Sequence, residues 1–290
     1  MTDAPPRLFD RALWLSRRAR RALPAPDARF LHAAAAEAVA ERLDAVARDF
    51  PDALLVWPGA PDWAETLAAH PKIGRLTEIA PPVDETLDAA PGAHDLAILG
   101  LTLHWVDDPV GALIQMRRAL RPDGLLIACG FGGETLAELR AAFAEAEAEV
   151  EGGLSPRVSP MGEIRALGGL AQRAGLALPV VDSDRLEVTY ADPLALMRDL
   201  RAMGETNALA QRRRTPLRRA TLARACEIYA ARFPAPGDPE RISATFEIVT
   251  LTGWSPGPDQ PQPKRPGSAT TRLADALGVP ELRAGEKAGE

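Results

Sequence analysis

Cysteine, lysine and long apolar runs are what this chain has least of. Its two cysteines, Cys129 and Cys226, exclude a disulfide framework and a cysteine-based zinc site. Cys129 falls in an apolar run and reads as inert core. No stretch reaches the roughly 18 apolar residues of a membrane helix, so no integral span is expected. A net charge of −6 gives no electrostatic case for nucleic acid. Lys72, Lys264 and Lys287 are the only lysines, so arginine carries the positive charge; with the many Ala and Pro this reads as base-composition bias. Glycine is scarce where a nucleotide-binding turn needs it. The first expected strand, Ala53 to Trp57, runs into Pro58-Gly59-Ala60-Pro61, whose prolines donate no N–H and whose Trp57 adds bulk. No acid–base pair, metal cluster or nucleophile triad is visible, so catalytic residues stay unassigned and no metal is expected. Arg17-Arg18 and Arg20-Arg21 precede no apolar run, so a secretion signal is not expected. The same Arg-rich start imitates a transit peptide, against which Asp3 and Asp10 count. A reducing, bacterial cytoplasmic location is expected, with a peripheral position at the inner membrane left open.

What is present is globular: 46% hydrophobic and 26% charged residues suit one large domain. The most informative stretch runs from Asp95 to Arg140. Asp95 to Leu101 has the length of a buried strand, and His104 and Trp105 follow just past its carboxyl end. In an open α/β sheet ligands sit at that edge. Asp108-Pro109 reads as a helix N-cap, Arg121-Pro122-Asp123-Gly124 as a turn, and Leu125 to Cys129 as a second strand. Leu136, Leu139, Phe143 and Ala146 mark the next helix. The β-α-β-α order predicts a Rossmann-like, mostly parallel sheet with right-handed crossovers.

Leu8, Ala12, Leu15, Ala19 and Ala22 form an apolar helical stripe, with an Arg-rich face opposite. Asp27 caps a second helix through Leu31, Ala35, Val39, Leu43 and Val46, where His32 reads as structural. Ile73 to Ile79 is the second strand, and Glu78 near its end is placed to meet ribose hydroxyls or solvent. Pro81 to His94 is too short for a helix and a strand, so the third strand of the sheet is expected to be reduced or missing. Leu178 to Val181 and Arg185 to Tyr190 read as strands. Residues 192–233 read as a helical insertion, interrupted at Met203-Gly204-Glu205-Thr206-Asn207 and lying as a lid over the carboxyl edge. Its arginines 212–214, 218, 219 and 224 make either a docking patch or a solvated face. Ser243 to Trp254 alternates as a last, antiparallel strand at or near an edge. Residues 1–254 are thus expected to form one domain and 255–290 a Pro-rich flexible tail.

Six segments in order resemble the methyltransferase-like complex I assembly factors, a branch of the class I S-adenosylmethionine-dependent methyltransferases. They are Leu103-His104-Trp105-Val106-Asp107-Asp108, Arg121-Pro122-Asp123-Gly124, Phe131-Gly132-Gly133-Glu134-Thr135-Leu136, Glu151-Gly152-Gly153-Leu154-Ser155-Pro156, Met203-Gly204-Glu205-Thr206-Asn207 and Pro266-Gly267-Ser268-Ala269. The opening Leu8-Phe9-Asp10-Arg11 agrees too. Leu-His-Trp-Val also occurs in the biotin-pathway carrier-protein methylesterifier; the Phe-Gly-Gly-Glu-Thr-Leu and Met-Gly-Glu-Thr-Asn stretches are more specific. The resemblance implies a class I methyltransferase fold with an S-adenosylmethionine pocket, and a protein partner among the subunits of respiratory complex I. Mitochondrial members are implicated in hydroxylating an arginine of its iron–sulfur subunit. The candidate cofactor-binding residues are Gly59, Glu78, Gly100, Leu101, His104 and Trp105. Glu78 would hold ribose, Gly59 face the methionine end, and His104 with Trp105 line the acceptor side. The chain departs from the family at Leu55-Val56-Trp57-Pro58-Gly59-Ala60-Pro61, where Asp-Leu-Gly-Cys-Gly-x-Gly is usual and only Gly59 survives. Three functions follow: an assembly or modification factor with a degenerate cofactor site, a working methyltransferase acting on a protein or small acid, and a catalytically dead binding module.

Overall fold

The computed structural model describes residues 7–21, 26–56, 59–258, 260 and 271–278. Trp57, Pro58, Ala22 and the Pro266-Gly267-Ser268-Ala269 segment lie outside the described residues. The chain divides into two compact units, Met1–Gly257 and Pro258–Glu290.

The larger unit is built on one seven-stranded sheet. β1 (Phe50–Val56), β2 (Ile73–Ile79), β3 (His94–Leu99) and β4 (Leu120–Phe131) run parallel in the spatial order β2-β1-β3-β4. The sheet continues through β5 (Ala177–Tyr190), β6 (Pro234–Ala235) and β7 (Asp238–Trp254). β7 lies antiparallel between β4 and β5, and the short β6 folds back on it. The antiparallel strand therefore sits one place in from the edge, and β5 takes the edge itself. The two strands expected at 178–181 and 185–190 are one, because Asp182, Ser183 and Asp184 stay in register with Thr250, Val249 and Ile248. Residues 80–93 form neither helix nor strand, so the third strand of the ordinary class is absent from the described sheet.

Alternation along each strand sends side chains to both faces. Leu55, Ile98, Ile127 and Phe246 pack beneath α2 (Phe30–Ala45), α3 (Pro61–Ala68), α5 (Ala137–Glu151), α7 (Pro193–Ala202) and α8 (Arg219–Arg232). Leu54, Leu99, Leu126 and Leu251 pack against α4 (Pro109–Ala119) and α6 (Ile164–Arg173) on the other face. Strands buried on both faces read as continuous apolar runs, as β3 does. Cys129 is fully buried in this core, and burial pushes its thiol up to about 12. Of the expected insertion, the segment after α7 reaches His104 and Trp105 through Glu205, whereas α8 packs on α5. α9 (Leu273–Leu277) belongs to the smaller unit.

The N-terminal helix α1 (Arg11–Arg21) is turned the other way from the apolar-stripe reading. Arg11, Trp14 and Arg18 are buried, while Leu8 is 44% exposed and Ala12 and Ala19 face solvent. The reason is that each buried guanidinium finds acceptors on a distant segment, which an alanine stripe cannot match. Arg11 donates to the carbonyls of Trp105 at 2.7 Å and Pro82 at 2.8 Å and pairs with Glu85 at 3.1 Å. Trp14 lies between the two guanidinium groups, 5.4 Å from Arg11 and 5.8 Å from Arg18.

The Phe-Gly-Gly-Glu-Thr-Leu stretch clamps the exit of β4 onto β7. Gly132 N–H donates to Glu247 O, and a Cβ at Gly132 would stand 2.4 Å from Glu247 Oε2. The Thr135 hydroxyl accepts from Glu247 N–H at 3.0 Å and donates to Glu247 O at 3.2 Å. Thr135 is 1% exposed, so no water replaces it. Thr135→Val is expected to cost about 1–3 kcal/mol, one buried donor left unpaired. Urea denaturation should show a lower midpoint at unchanged m-value.

Candidate functional site

The site forms where β3 ends. Gly100 N–H donates to Val56 O, and Thr102 N–H to Cys129 O, so the strand leaves the sheet tied to both neighbours. Leu101 adopts φ 41° in this bend. A 3-10 turn, Leu103–Trp105, then delivers His104 and Trp105 to the carboxyl edge.

Both side chains converge on Glu205. Trp105 Nε1–H donates to Glu205 Oε2 at 2.8 Å. His104 Nδ1 accepts from Phe131 N–H at 3.2 Å, so its Nε2 carries the proton toward the same oxygen, also at 3.2 Å. Arg18 Nη1 donates to Glu205 Oε1 at 2.6 Å. The Arg18 and Glu205 side chains are 2% and 6% exposed. Burial by itself would raise the Glu205 carboxyl, but His104 and Arg18 outweigh it and hold it at about 2. Gly204 makes room: it sits at φ 78°, and a Cβ there would stand 2.7 Å from Arg18 Cγ.

His32 of α2 closes the cluster from behind. Trp63 Nε1–H faces its Nδ1 at 3.2 Å, and Arg18 Nη2 faces its Nε2 at 2.9 Å. A neutral imidazole accepts at one nitrogen, so two donors compete for one lone pair. The contact to the charged guanidinium is the stronger. Burial, followed by the charge of Arg18, lowers His32 to about 3 and keeps it neutral. Phe9, Trp14, Trp105, Ala208 and Leu209 wrap the cluster in a separate apolar patch, with Phe9 and Trp105 rings 5.1 Å apart.

Gly100, His104 and Trp105 are thus brought to one place, with Leu101 buried beside them. Gly59, at φ 92°, lies half-buried in the turn before α3, and Glu78 is exposed on β2; neither joins the cluster. Arg18, His32 and Glu205 were not among the sequence candidates. The Arg11-Trp14-Arg18 spacing carried a signal, as did a glutamate following a glycine in a loop between two helices.

The space expected for a nucleoside is small. Trp63 is fully buried with its ring against Gly100, where a Cβ would meet it at 3.0 Å. Beyond Val56 and Leu99, Pro81, Pro82 and Arg11 leave a cavity of about 40 Å³. Small-molecule sites usually measure about 300–1,000 Å³. The cavity among the described residues at this place is thus smaller than such sites usually are. A second cavity of about 200 Å³ opens beside Trp105, Phe131, Met197, Glu205 and Phe246.

A parallel sheet with one inserted antiparallel strand, bearing its site at the carboxyl ends, defines a domain of the class I methyltransferase type. Residues 58–128 match the family described as methyltransferase domain. The mitochondrial arginine-hydroxylase NDUFAF5 of Danio rerio is 36% identical over 264 residues, covering 84% of this chain and 81% of that protein. The Mus musculus protein of the same name is 34% identical over 267 residues, covering 86% and 77%. The chain belongs to the NDUFAF5 family. Malonyl-[acyl-carrier protein] O-methyltransferase of Xylella fastidiosa is 36% identical over 171 residues, covering 59% of this chain and 55% of that one. The solved YcgJ protein of Bacillus subtilis aligns with 76% of this chain and 98% of its own at a TM-score of 0.45 and 10% identity. The cytoplasmic expectation is corrected by these relatives, since the NDUFAF5 proteins similar to this chain are mitochondrial. A low cysteine count does not distinguish one compartment from another. No helix among the described residues is long and apolar enough to cross a membrane.

The cluster makes stability sensitive to acid. Folded His32 takes its proton at about 3 rather than 6.5. Between those values the unfolded chain holds the extra proton, so stability falls as pH drops below about 6.5. Glu205 adds a loss below its ordinary value of 4.5. His32→Gln is expected to flatten the slope between pH 6 and 5 by nearly one proton (roughly, by linkage), read from urea midpoints across pH. Glu205→Gln strands a buried guanidinium and should cost about 3–5 kcal/mol. Glu145→Gln, at the exposed pair with Arg232, should cost about 1 kcal/mol or less in the same assay.

Proposed function

We propose that this protein is an assembly or modification factor for respiratory NADH dehydrogenase, acting on an arginine of its iron–sulfur subunit through a methyltransferase scaffold. Membership in the NDUFAF5 family supports this, since the relatives carry the name arginine-hydroxylase. The observation that carries it is Glu205: a buried, ionised carboxylate at the ligand edge of the sheet whose present partner is a guanidinium. The seat that accepts Arg18 has the chemistry to accept the arginine of another polypeptide, once α1 lifts away.

S-adenosylmethionine belongs to the methyltransferase family, and we infer that this chain holds it weakly or not at all. The tight contact of Trp63 with Gly100 and the small cavity beside Pro81 and Pro82 support that reading. Each polar group of the ligand left unpaired would cost about 1–3 kcal/mol, and each 1.4 kcal/mol is tenfold in affinity. Methyl transfer to a protein or small acid is the second reading, favoured by the likeness to malonyl-[acyl-carrier protein] O-methyltransferases.

Calorimetry with S-adenosylmethionine on the purified protein is expected to show no micromolar binding. A strain lacking the gene is expected to lose assembled NADH dehydrogenase. Micromolar binding would put methyl transfer first. An intact NADH dehydrogenase in the deletion strain would end the assembly reading whatever the calorimetry gives.

A further inference from the structure

Next to the Glu205 cluster lies an open cleft of about 790 Å³ whose walls are mostly arginine. It runs between α1 and the segment that follows α7, and it shares Arg157, Arg201, Thr206 and Asn207 with the apolar cavity beside Trp105. Three of its arginines have carboxylate partners. Arg157 pairs with Glu147, Arg212 with Asp10 at 3.1 Å, and Arg213 with Glu151. Arg17 is directed at the carbonyl of Asn207, at 2.6 Å. Arg20, Arg201 and Arg214 are exposed, and among the described residues no carboxylate stands within ion-pair distance of any of them. A surplus of positive charge is thus held in one concave place on a chain of net charge −6.

The carboxylates of Glu147, Asp10 and Glu151 offset only part of this charge, so an anionic occupant is the natural counterpart of the rest. Guanidinium forks match carboxylates in bidentate geometry. The floor adds a second requirement. The adjoining cavity of about 200 Å³ is lined by Phe131, Leu139, Met197, Leu200 and Phe246, which suits one large apolar side chain. Nucleic acid meets the first condition but not the second: no aromatic ring lines the cleft for base stacking, and the net charge of −6 disfavours a polyanion.

We propose that the arginine cleft and the apolar cavity beneath it form one binding site for an acidic polypeptide segment, carboxylates in the cleft flanking a bulky apolar side chain in the cavity. This deepens the proposed function and rests on its reading of the partner as a protein. The carboxylates of the segment would dock on Arg20, Arg201 and Arg214 and set the register in which a neighbouring arginine reaches Glu205.

The test is fluorescence anisotropy with the full chain and a labelled synthetic peptide that has glutamates on both sides of a single phenylalanine. Binding is expected, weakening steeply with salt. It should drop tenfold or more when the glutamates become glutamine, and again when the phenylalanine becomes alanine. The paired change Arg201→Glu and Arg214→Glu should abolish it while leaving the urea midpoint unchanged, because both side chains are exposed. Equal binding of the glutamine peptide would overturn the proposal. So would competition by inorganic phosphate at equal concentration, which marks an unspecific anion site, or tighter binding of a single-stranded oligonucleotide. The outcome separates from that of the deletion strain. Peptide binding with intact NADH dehydrogenase keeps the cleft and ends the assembly reading; lost NADH dehydrogenase with no peptide binding ends the cleft alone.

Discussion

A carboxylate that stays ionised out of water is the constraint on which the rest of this structure depends. Glu205 has no solvent to stabilise it, and an isolated buried charge would cost several kcal/mol. Its compensation comes from three directions: a guanidinium on the N-terminal helix, an imidazole N–H and an indole N–H on the turn after β3. Each of those groups must in turn be fixed. His104 is oriented by Phe131 N–H, and Arg18 is steadied by His32 and by the ring of Trp14. Gly204 leaves the gap through which Arg18 passes. Segments far apart in the chain are thus committed to one point by one charge.

The stretches that carry the family resemblance are the fasteners of this arrangement. The amides of Leu8 and Phe9 donate to Asp107, joining the first motif to the His-Trp turn. Ser155 satisfies buried Glu147, and Asn207 then donates to the carbonyl of Pro156, binding the loop after α5 to the loop after α7. Asp123 N–H reaches Ser255 O across the end of β7. These residues are polar, local and demanding in geometry, which is why they stand out in sequence. His104, Trp105 and Glu205 come from these same stretches, so the segments that fasten the carboxyl edge of the sheet also supply the candidate site.

The strands were legible because burial on both faces writes an unbroken apolar run, and the missing third strand because fourteen or so residues between Ile79 and His94 have no room for a crossover. The merger of two short strands into β5 was not legible, since Asp182-Ser183-Asp184 looks like a turn until Arg42 is seen to pair with Asp182 and Asp184. The face of α1 was misread for a related reason. Periodicity ranks alanine above arginine for burial, and only the distant partners Glu205, Glu85 and two backbone carbonyls reverse the order. Of the site, His104 and Trp105 were visible from their place after a strand. Arg18, His32 and Glu205 were not, because what makes them a site is their mutual distance.

The closure of Arg18 on Glu205 joins residues 187 apart in the chain, and this bears on the order in which the chain folds. Contacts of such sequence separation form after loop closure and local structure have been established. The sheet and its covering helices can collapse with the two charges still hydrated, and the pair is desolvated as the last act. Interactions absent from the transition state govern how fast a protein comes apart and leave its folding rate nearly untouched. The ion pair is then a latch on the finished fold, and breaking it is expected to speed unfolding more than it slows folding.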